Sequence, residues 1–146
     1  MATYLLDYDI LIELHDPSSV WHQSVKDAVD ELVAEGHVCL IEGRMLPDLW
    51  SLLTRPAMLN GHDLSPEAAT AHLDALRARF TILTDPPAEA WIACARTYQL
   101  VGDDVRQAQL LAAMRAAGAT HLLTITPPYL PDSCGIEPVV LDPVIV

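Results

Sequence analysis

Residues 3–12 read Thr-Tyr-Leu-Leu-Asp-Tyr-Asp-Ile-Leu-Ile, an apolar run that ends on acids and gives way to a second apolar run. The first run predicts a short buried strand and the second a short helix. Asp7 then lies at the carboxyl edge of a sheet, where open α/β proteins bind their ligands. Two roles are open to Asp7. It caps the following helix, or its carboxylate binds a hard cation such as Mg²⁺ or Mn²⁺.

The composition is that of one globular domain covering residues 1–146. The chain is 51% hydrophobic and 19% charged, which supports a substantial core and excludes global disorder. Its net charge is −12, with 20 acids against 8 Lys and Arg. Such a charge opposes contact with nucleic-acid phosphates unless divalent metals neutralise the acids, and it otherwise favours a basic partner.

The cysteines and the apolar runs indicate a reducing compartment. Cys39, Cys94 and Cys134 are widely spaced and include no CxxC pair, so neither a zinc site nor a disulfide framework is predicted. The sequence shows no signal-peptide pattern and no run of 18 apolar residues. We therefore expect a cytoplasmic protein without a membrane span.

Short apolar runs alternate with helical patterns along the chain, which predicts a parallel sheet covered by helices on both faces. The fold class is thus α/β, a single three-layer domain with a central parallel sheet of four to five strands. Predicted strands are 3–6, 37–41, 80–83, 120–124 and 138–141, and predicted helices are 9–14, 20–35, 44–53, 65–79, 88–100 and 102–118. Residues expected to be buried in the sheet are Leu5, Leu6, Val38, Leu40, Leu122 and Leu123.

Further acids fall where a parallel sheet gathers its carboxyl ends. Glu42 follows the second strand, Asp48 lies in the next helix, and Asp103 and Asp104 begin the penultimate helix. Each also has an ordinary structural role: Asp103 and Asp104 suit a helix N-terminus, Asp48 suits a solvent-facing helix position, and Glu42 suits a loop.

The order of these segments resembles PIN-domain proteins, and most of all the VapC-type ribonuclease toxins of prokaryotic toxin–antitoxin pairs. Residues 5–12 resemble the family's opening, Leu-Leu-Asp-Thr-Asn-Val-Leu-Ile, in which the Asp is a metal ligand. Residues 44–50 and 53–56, Arg-Met-Leu-Pro-Asp-Leu-Trp and Leu-Thr-Arg-Pro, resemble the segment that carries the second acid, here Asp48. Residues 107–113 and 118–124 resemble the helix and strand that carry the third and fourth acids. The resemblance implies a PIN-like domain.

The chain departs from the family at two of the four acidic positions. Gln107 stands where the third acid is expected, and Thr126 stands where the fourth is expected. Asp103 and Asp104 lie four and three residues before Gln107, on the same helical face, and could replace the missing third acid. Asp9 or Glu42 could add another ligand.

The resemblance implies a metal-dependent endoribonuclease with a rearranged acidic site that uses Mg²⁺ or Mn²⁺. The expected catalytic residues are Asp7, Asp48, Asp103 and Asp104, and the expected metal ligands are Asp7, Asp48 and Asp104. RNA, an antitoxin protein and a second copy of the chain in a homodimer are the implied partners.

Two other functions remain open. One is a catalytically impaired PIN-fold protein that binds RNA or a protein partner. The other is a nucleotide or phosphate binder on a doubly wound sheet, which the absence of a Gly-rich loop after the first strand disfavours. The histidines have no ligand spacing, so a His-based metal site is not predicted, and His15 alone lies near the expected site. Arg55 suits either phosphate contact or an ordinary surface position.

Overall fold

The computed structural model describes residues 1–142, and within them five strands and six helices form one α/β unit. The strands are β1 (Thr3–Leu6), β2 (Val38–Glu42), β3 (Thr81–Leu83), β4 (His121–Thr124) and β5 (Glu137–Val140). The helices are α1 (Tyr8–Leu14), α2 (His22–Ala34), α3 (Met45–Thr54), α4 (Pro66–Arg79), α5 (Ala88–Thr97) and α6 (Val105–Ala117). Residues 143–146 of the predicted domain lie outside the described part.

The five strands form one parallel sheet in the order β3-β2-β1-β4-β5. β1 is the central strand, and Leu5 pairs with Leu40 of β2 on one side and with Leu122 of β4 on the other. Because every strand points the same way, the carboxyl ends of β1, β2 and β4 meet at one edge. The predicted α/β class and parallel sheet are confirmed.

Apolar side chains on both faces of the central strands form the core. Leu5, Leu6 and Leu122 are fully buried, and Leu123 is 1% exposed. Burial of one such side chain contributes about 1.5–3 kcal/mol to folding. The prediction was wrong for Val38, which is 44% exposed. Val38 is the first residue of β2, so it lies at the amino edge of the sheet.

The largest differences from the predicted helix bounds are at the end of α5 and at the start of α6. α5 ends at Thr97, because the backbone turns left-handed at Gln99 (φ 54°) and again at Gly102 (φ 57°). Gly102–Asp104 form a separate 3₁₀ turn, and α6 begins only at Val105. The acids at 103 and 104 therefore precede α6 and do not lie within it.

Cys39, Cys94 and Cys134 are buried free thiols. No helix in residues 1–142 combines the length and apolarity needed to cross a membrane.

Candidate active site

Asp7 is the first residue beyond β1, and both oxygens of its carboxylate are fixed. Its Oδ1 accepts a hydrogen bond of 2.8 Å from the backbone N–H of Tyr8, which caps α1. Its Oδ2 accepts a bond of 2.8 Å from the hydroxyl of Thr124, the last residue of β4. The capping role of Asp7 is therefore present, and it leaves the carboxylate at the edge where a ligand binds.

Asp9 connects α1 to the segment that follows β4. Its Oδ2 accepts backbone N–H bonds from Ile125 at 3.1 Å and from Thr126 at 2.8 Å, as well as a bond of 3.3 Å from the Thr124 hydroxyl. At the position where a fourth acid is expected, Thr126 thus supplies a backbone donor. The bond between Asp9 and Thr126 fixes the segment that follows β4. Neither residue lines the pocket at the carboxyl edge of the sheet.

A pocket of about 650 Å³ opens at the carboxyl edge of the sheet beside Asp7. Asp7 and Asp48 both line it, so the structure brings together these two predicted site residues. Asp48 is exposed at its rim, whereas Asp7 is half-buried. The walls come from the start of α1, the end of β2, α3, α6 and the segment after β4. They include Tyr8, Glu42, Arg44, Met45, Ser51, Arg55, Arg106, Gln107, Gln109, Leu110 and Pro128.

Asp103 and Asp104 are not among the pocket residues. They belong to the 3₁₀ turn before α6, while Gln107, in the first turn of α6, reaches the pocket. The Oε1 atom of Gln107 is buried and has no hydrogen-bond partner within residues 1–142. A buried amide oxygen without a partner is costly, so it marks a place where a water or an ion is expected.

Glu42, at the end of β2, is paired with a cation. Its side chain is 2% exposed, and its carboxylate accepts bonds from Arg44 Nε at 2.7 Å and from Arg44 Nη2 at 3.2 Å. Arg44 also donates to the side-chain oxygen of Gln109 and to the backbone carbonyl of Arg106, the latter at 3.1 Å. The guanidinium therefore ties β2 to α6.

The electrostatics favour a cation beside Asp7. Burial raises the pKa of the Asp7 carboxyl above its ordinary value, and the charges of Asp9 and Glu42 raise it further, while the bonds from Thr124 and Tyr8 oppose this rise. Burial and the charge of Asp48 likewise raise the pKa of the Tyr8 hydroxyl, which donates to the backbone carbonyl of Asp48 at 3.1 Å.

Two further arginines line the pocket without a carboxylate partner. Neither Arg55 nor Arg106 forms an ion pair in the described part of the chain. The Nε atom of Arg55 is buried and has no hydrogen-bond partner there. Because guanidinium groups bind phosphate oxygens well, Arg55 and Arg106 are suited to an anionic ligand.

His15 is not part of this pocket. Its Nδ1 lies 2.7 Å from Nδ1 of His72, and the two rings meet edge to face with centroids 4.5 Å apart. Burial, followed by the charges of His72, His62 and His22 in that order, lowers the pKa of His15 to about 4. His15 and His72 are 57 positions apart along the chain, so no local pattern in the sequence indicates that their side chains meet.

The donor set suits one hard divalent ion. Among residues 1–142, no three His, Cys, Asp or Glu side chains are arranged to hold a metal by themselves. The pocket does offer the carboxylates of Asp7 and Asp48 together with the unpartnered amide oxygen of Gln107. Mg²⁺ retains several waters and is commonly bound by one or two carboxylates, so these residues fit it.

Several solved structures share the fold of this chain. VapBC2 of Rickettsia felis, bound to a DNA fragment from its promoter, matches 96% of this chain and 99% of its own, with a TM-score of 0.65 and 14% identity. PAE2754 of Pyrobaculum aerophilum matches 94% of this chain and 83% of its own, with a TM-score of 0.54 and 19% identity. VapC20 of Mycobacterium tuberculosis, a toxin that cleaves the sarcin–ricin loop, matches 82% of this chain and 86% of its own, with a TM-score of 0.52 and 23% identity.

No protein-family model and no curated protein sequence matches the chain. At these identities the comparisons establish the fold, which is that of the VapC-type PIN domain. The predicted PIN-like resemblance is confirmed at that level.

Sequence reasoning missed the roles of Arg44, which lines the pocket, and of Thr124, which bonds to Asp7. The signal for Thr124 was a polar residue that closes an otherwise apolar predicted strand. The signal for Arg44 was its position two residues after Glu42, at the end of the second predicted strand, with Gly43 between them.

Proposed function

We propose that the chain is a metal-dependent endoribonuclease of the PIN type with a rearranged acidic site. The observation that carries the proposal is the pair of carboxylates, Asp7 and Asp48, which line one pocket at the carboxyl edge of a VapC-type fold. Burial raises the pKa of the Asp7 carboxyl, and the charges of Asp9 and Glu42 raise it further, so a bound cation would favour its charged form.

Each pocket residue has a role in this proposal. Asp7 and Asp48 would hold one Mg²⁺ or Mn²⁺ ion, and the Gln107 amide oxygen would hold a water in the same pocket. When bound, the ion supplies an activated water and offsets the charge of the phosphate. Thr124 keeps the Asp7 carboxylate in place through its 2.8 Å hydrogen bond. Arg55 and Arg106 bind phosphate groups of single-stranded RNA, which orients the strand across the carboxylates.

Asp103 and Asp104 remain secondary candidates for the metal site. They lie in the turn immediately before α6, and a shift of that turn is needed to bring them to the pocket. The position and the unpartnered oxygen of Gln107 favour Gln107 over both acids. Asp104→Asn should therefore reduce metal binding much less than Asp7→Asn.

A second function, RNA or protein binding without catalysis, is favoured by a separate observation. Glu42 is already neutralised by Arg44, and Gln107 carries no charge, so the pocket retains fewer free carboxylates than the family pattern. A chain with this function binds single-stranded RNA through Arg55 and Arg106 and leaves it intact.

The partners of this function follow from the fold neighbours. The R. felis structure is a VapBC pair, which supports an antitoxin protein as the partner of this chain. A homodimer is part of the same proposal, and sedimentation at micromolar concentration tests it. The apolar helical face around Leu46, Trp50 and Leu53 serves mainly the core, because Leu53 is fully buried and the other two pack against the same cluster.

Metal-dependent melting and RNA cleavage test the two functions together. We expect millimolar Mn²⁺ or Mg²⁺ to raise the melting temperature of the wild type, because an ion that binds the native state alone stabilises it. Asp7→Asn should abolish most of this rise and all cleavage of single-stranded RNA, and a chelator should also abolish cleavage. Asp27→Asn, an exposed acid on α2, is the matched control and should behave as the wild type.

The outcomes separate the candidates. RNA cleavage that requires both the metal and Asp7 supports the nuclease. RNA binding with no cleavage and no metal response contradicts the nuclease and supports the binding function. Cleavage that persists in Asp7→Asn points to a contaminating ribonuclease and counts against the proposed site.

A further inference from the structure

Glu42 is a carboxylate placed where a second cation is expected. It ends β2, the neighbour of β1, and lines the same pocket as Asp7 and Asp48. Its side chain is 2% exposed, and a buried carboxylate is stable in its charged form only when a cation or several donors compensate it. The compensating group decides whether Glu42 is available to a metal ion.

That group is the guanidinium of Arg44. It contacts both oxygens of Glu42, at 2.7 and 3.2 Å, in the two-pronged arrangement that makes Arg–carboxylate pairs strong. Its remaining bonds to Gln109 and to the Arg106 carbonyl fix it against α6. Four of its N–H donors are therefore engaged by the protein, which leaves little capacity to bind a phosphate.

Arg44 compensates Glu42 and leaves Asp7 uncompensated. Within residues 1–142 the Asp7 carboxylate accepts hydrogen bonds from the Thr124 hydroxyl and the Tyr8 N–H, and it forms no ion pair. The pocket thus divides into a part that already contains a cation, at Glu42, and a part that lacks one, at Asp7 and Asp48.

We propose that Arg44 takes the place of a second divalent cation, so that the pocket binds a single metal ion and Glu42 is excluded from its coordination. The exclusion of Glu42 follows from the ion pair itself and does not depend on catalysis. The single ion at Asp7 and Asp48 rests on the proposed function. Removal of the guanidinium should therefore open a metal site that the wild type does not have.

Calorimetric titration with Mn²⁺ alone, combined with melting curves, tests this inference. We expect the wild type to bind a single ion, and Arg44→Ala to bind a second ion or to bind Mn²⁺ on the order of tenfold more tightly, because Glu42 is freed. Arg106→Ala is the matched control. It removes the same charge from the same pocket without touching the Glu42 ion pair, and it should add no second ion.

A further variant keeps the test decisive if Arg44→Ala fails to fold without metal. In that case Mn²⁺ should restore its circular dichroism spectrum, because the ion replaces the missing cation. Glu42→Gln/Arg44→Ala, which removes the buried charge with its partner, should fold without metal and bind no more Mn²⁺ than the wild type. An Arg44→Ala chain that stays unfolded in Mn²⁺, or that folds and binds Mn²⁺ as the wild type does, overturns the proposal.

The wild-type titration distinguishes a failure of this inference from a failure of the proposed function. If the wild type binds no Mn²⁺ and Arg44→Ala does, Arg44 excludes metal as inferred and the nuclease assignment fails. If the wild type binds an ion and Arg44→Ala binds it identically, the nuclease assignment stands and the inference about Arg44 fails.

Discussion

Asp7 combines a stabilising and a destabilising interaction within one side chain. Its Oδ1 caps α1, while its charge is buried beside Asp9 and Glu42, which raises its pKa. An asparagine at this position retains an oxygen for the Tyr8 N–H and an amide that can face the Thr124 hydroxyl. The charge is therefore separable from the hydrogen bonds.

We predict that Asp7→Asn stabilises the metal-free protein by about 1 kcal/mol, because it removes a buried charge without breaking the cap. Urea denaturation in the presence of a chelator measures the change. Asp48→Asn, at an exposed rim position, should leave stability nearly unchanged. A lower stability of Asp7→Asn shows instead that the charged cap outweighs the repulsion.

The buried His15–His72 pair makes stability depend on pH. The pKa of His15 is about 4 in the folded protein, below its ordinary value of 6.5, so the unfolded chain binds more protons between these values. Stability should therefore be lost as the pH falls from 6.5 towards 4. The full shift corresponds to about 3 kcal/mol, and partial solvent exposure of the ring reduces the expected loss to roughly 1–2 kcal/mol.

Denaturation of the wild type and of His15→Gln at pH 7 and pH 4.5 tests this prediction. The variant should lose less stability on acidification, because the histidine that must become charged is absent. His121→Gln is the control, since His121 lies on β4 and pairs with Glu137. Equal losses in the wild type and in His15→Gln contradict the prediction.

The two predicted site residues that line the pocket, Asp7 and Asp48, are those with a local signal in the sequence. Asp7 ends an apolar run, and Asp48 follows the second strand at the spacing of a known motif. The sequence did not predict the roles of Arg44 and His15, because the residues that they contact are distant along the chain. Only the fold shows that Arg44 meets Gln109 and that His15 meets His72.

At the scale of the element, the loop after α3 positions an arginine of the pocket. The Arg55 carbonyl accepts a bond of 2.9 Å from the N–H of Asp63, which closes the loop on itself. Gly61 lies so close to Arg55 that a Cβ atom built on it falls 2.0 Å from the Arg55 oxygen. Glycine is therefore required by close approach at this position.

We predict that Gly61→Ala displaces Arg55 and destabilises the protein by about 1–3 kcal/mol, since overpacking forces the backbone to move. RNA affinity should fall together with the melting temperature, and both are measured on the same preparation by fluorescence anisotropy and thermal denaturation. Arg55→Ala is the companion variant, which should lower RNA affinity with little loss of stability. Unchanged melting of Gly61→Ala contradicts the crowding argument.

The ends of strands and helices were predicted closely where several sequence signals occur together. Ser65 and Pro66 mark the start of α4, and the structure shows the Ser65 hydroxyl accepting the Ala68 N–H at 3.1 Å. The start of α6 was missed, because Gly102, Asp103 and Asp104 resemble a helix opening in sequence. In the structure the backbone is left-handed at Gly102, and Gly102–Asp104 form a 3₁₀ turn, so both acids lie before α6. The amino-acid composition of this segment does not reveal that conformation.

At the scale of the whole molecule, positively charged residues are few, and several of them lie in one pocket. The chain carries 8 Lys and Arg against 20 acids, and three of these cations, Arg44, Arg55 and Arg106, line one pocket. At physiological ionic strength the screening length is about 8 Å, so charges far around the surface do not cancel this local arrangement. Under the proposed function, an RNA strand is repelled by most of the surface and binds at the pocket through Arg55 and Arg106, the two arginines there without an ion pair in residues 1–142.

The hydrogen bond from Thr124 to Asp7 joins residues 117 positions apart. During translation at about 5–20 residues per second, the segment with Asp7 is made roughly 6 to 23 seconds before the segment with Thr124. Until β4 is available, the central strand lacks a neighbour and the Asp7 carboxylate lacks its hydrogen bond from Thr124. A nascent chain therefore has no finished site until synthesis is nearly over.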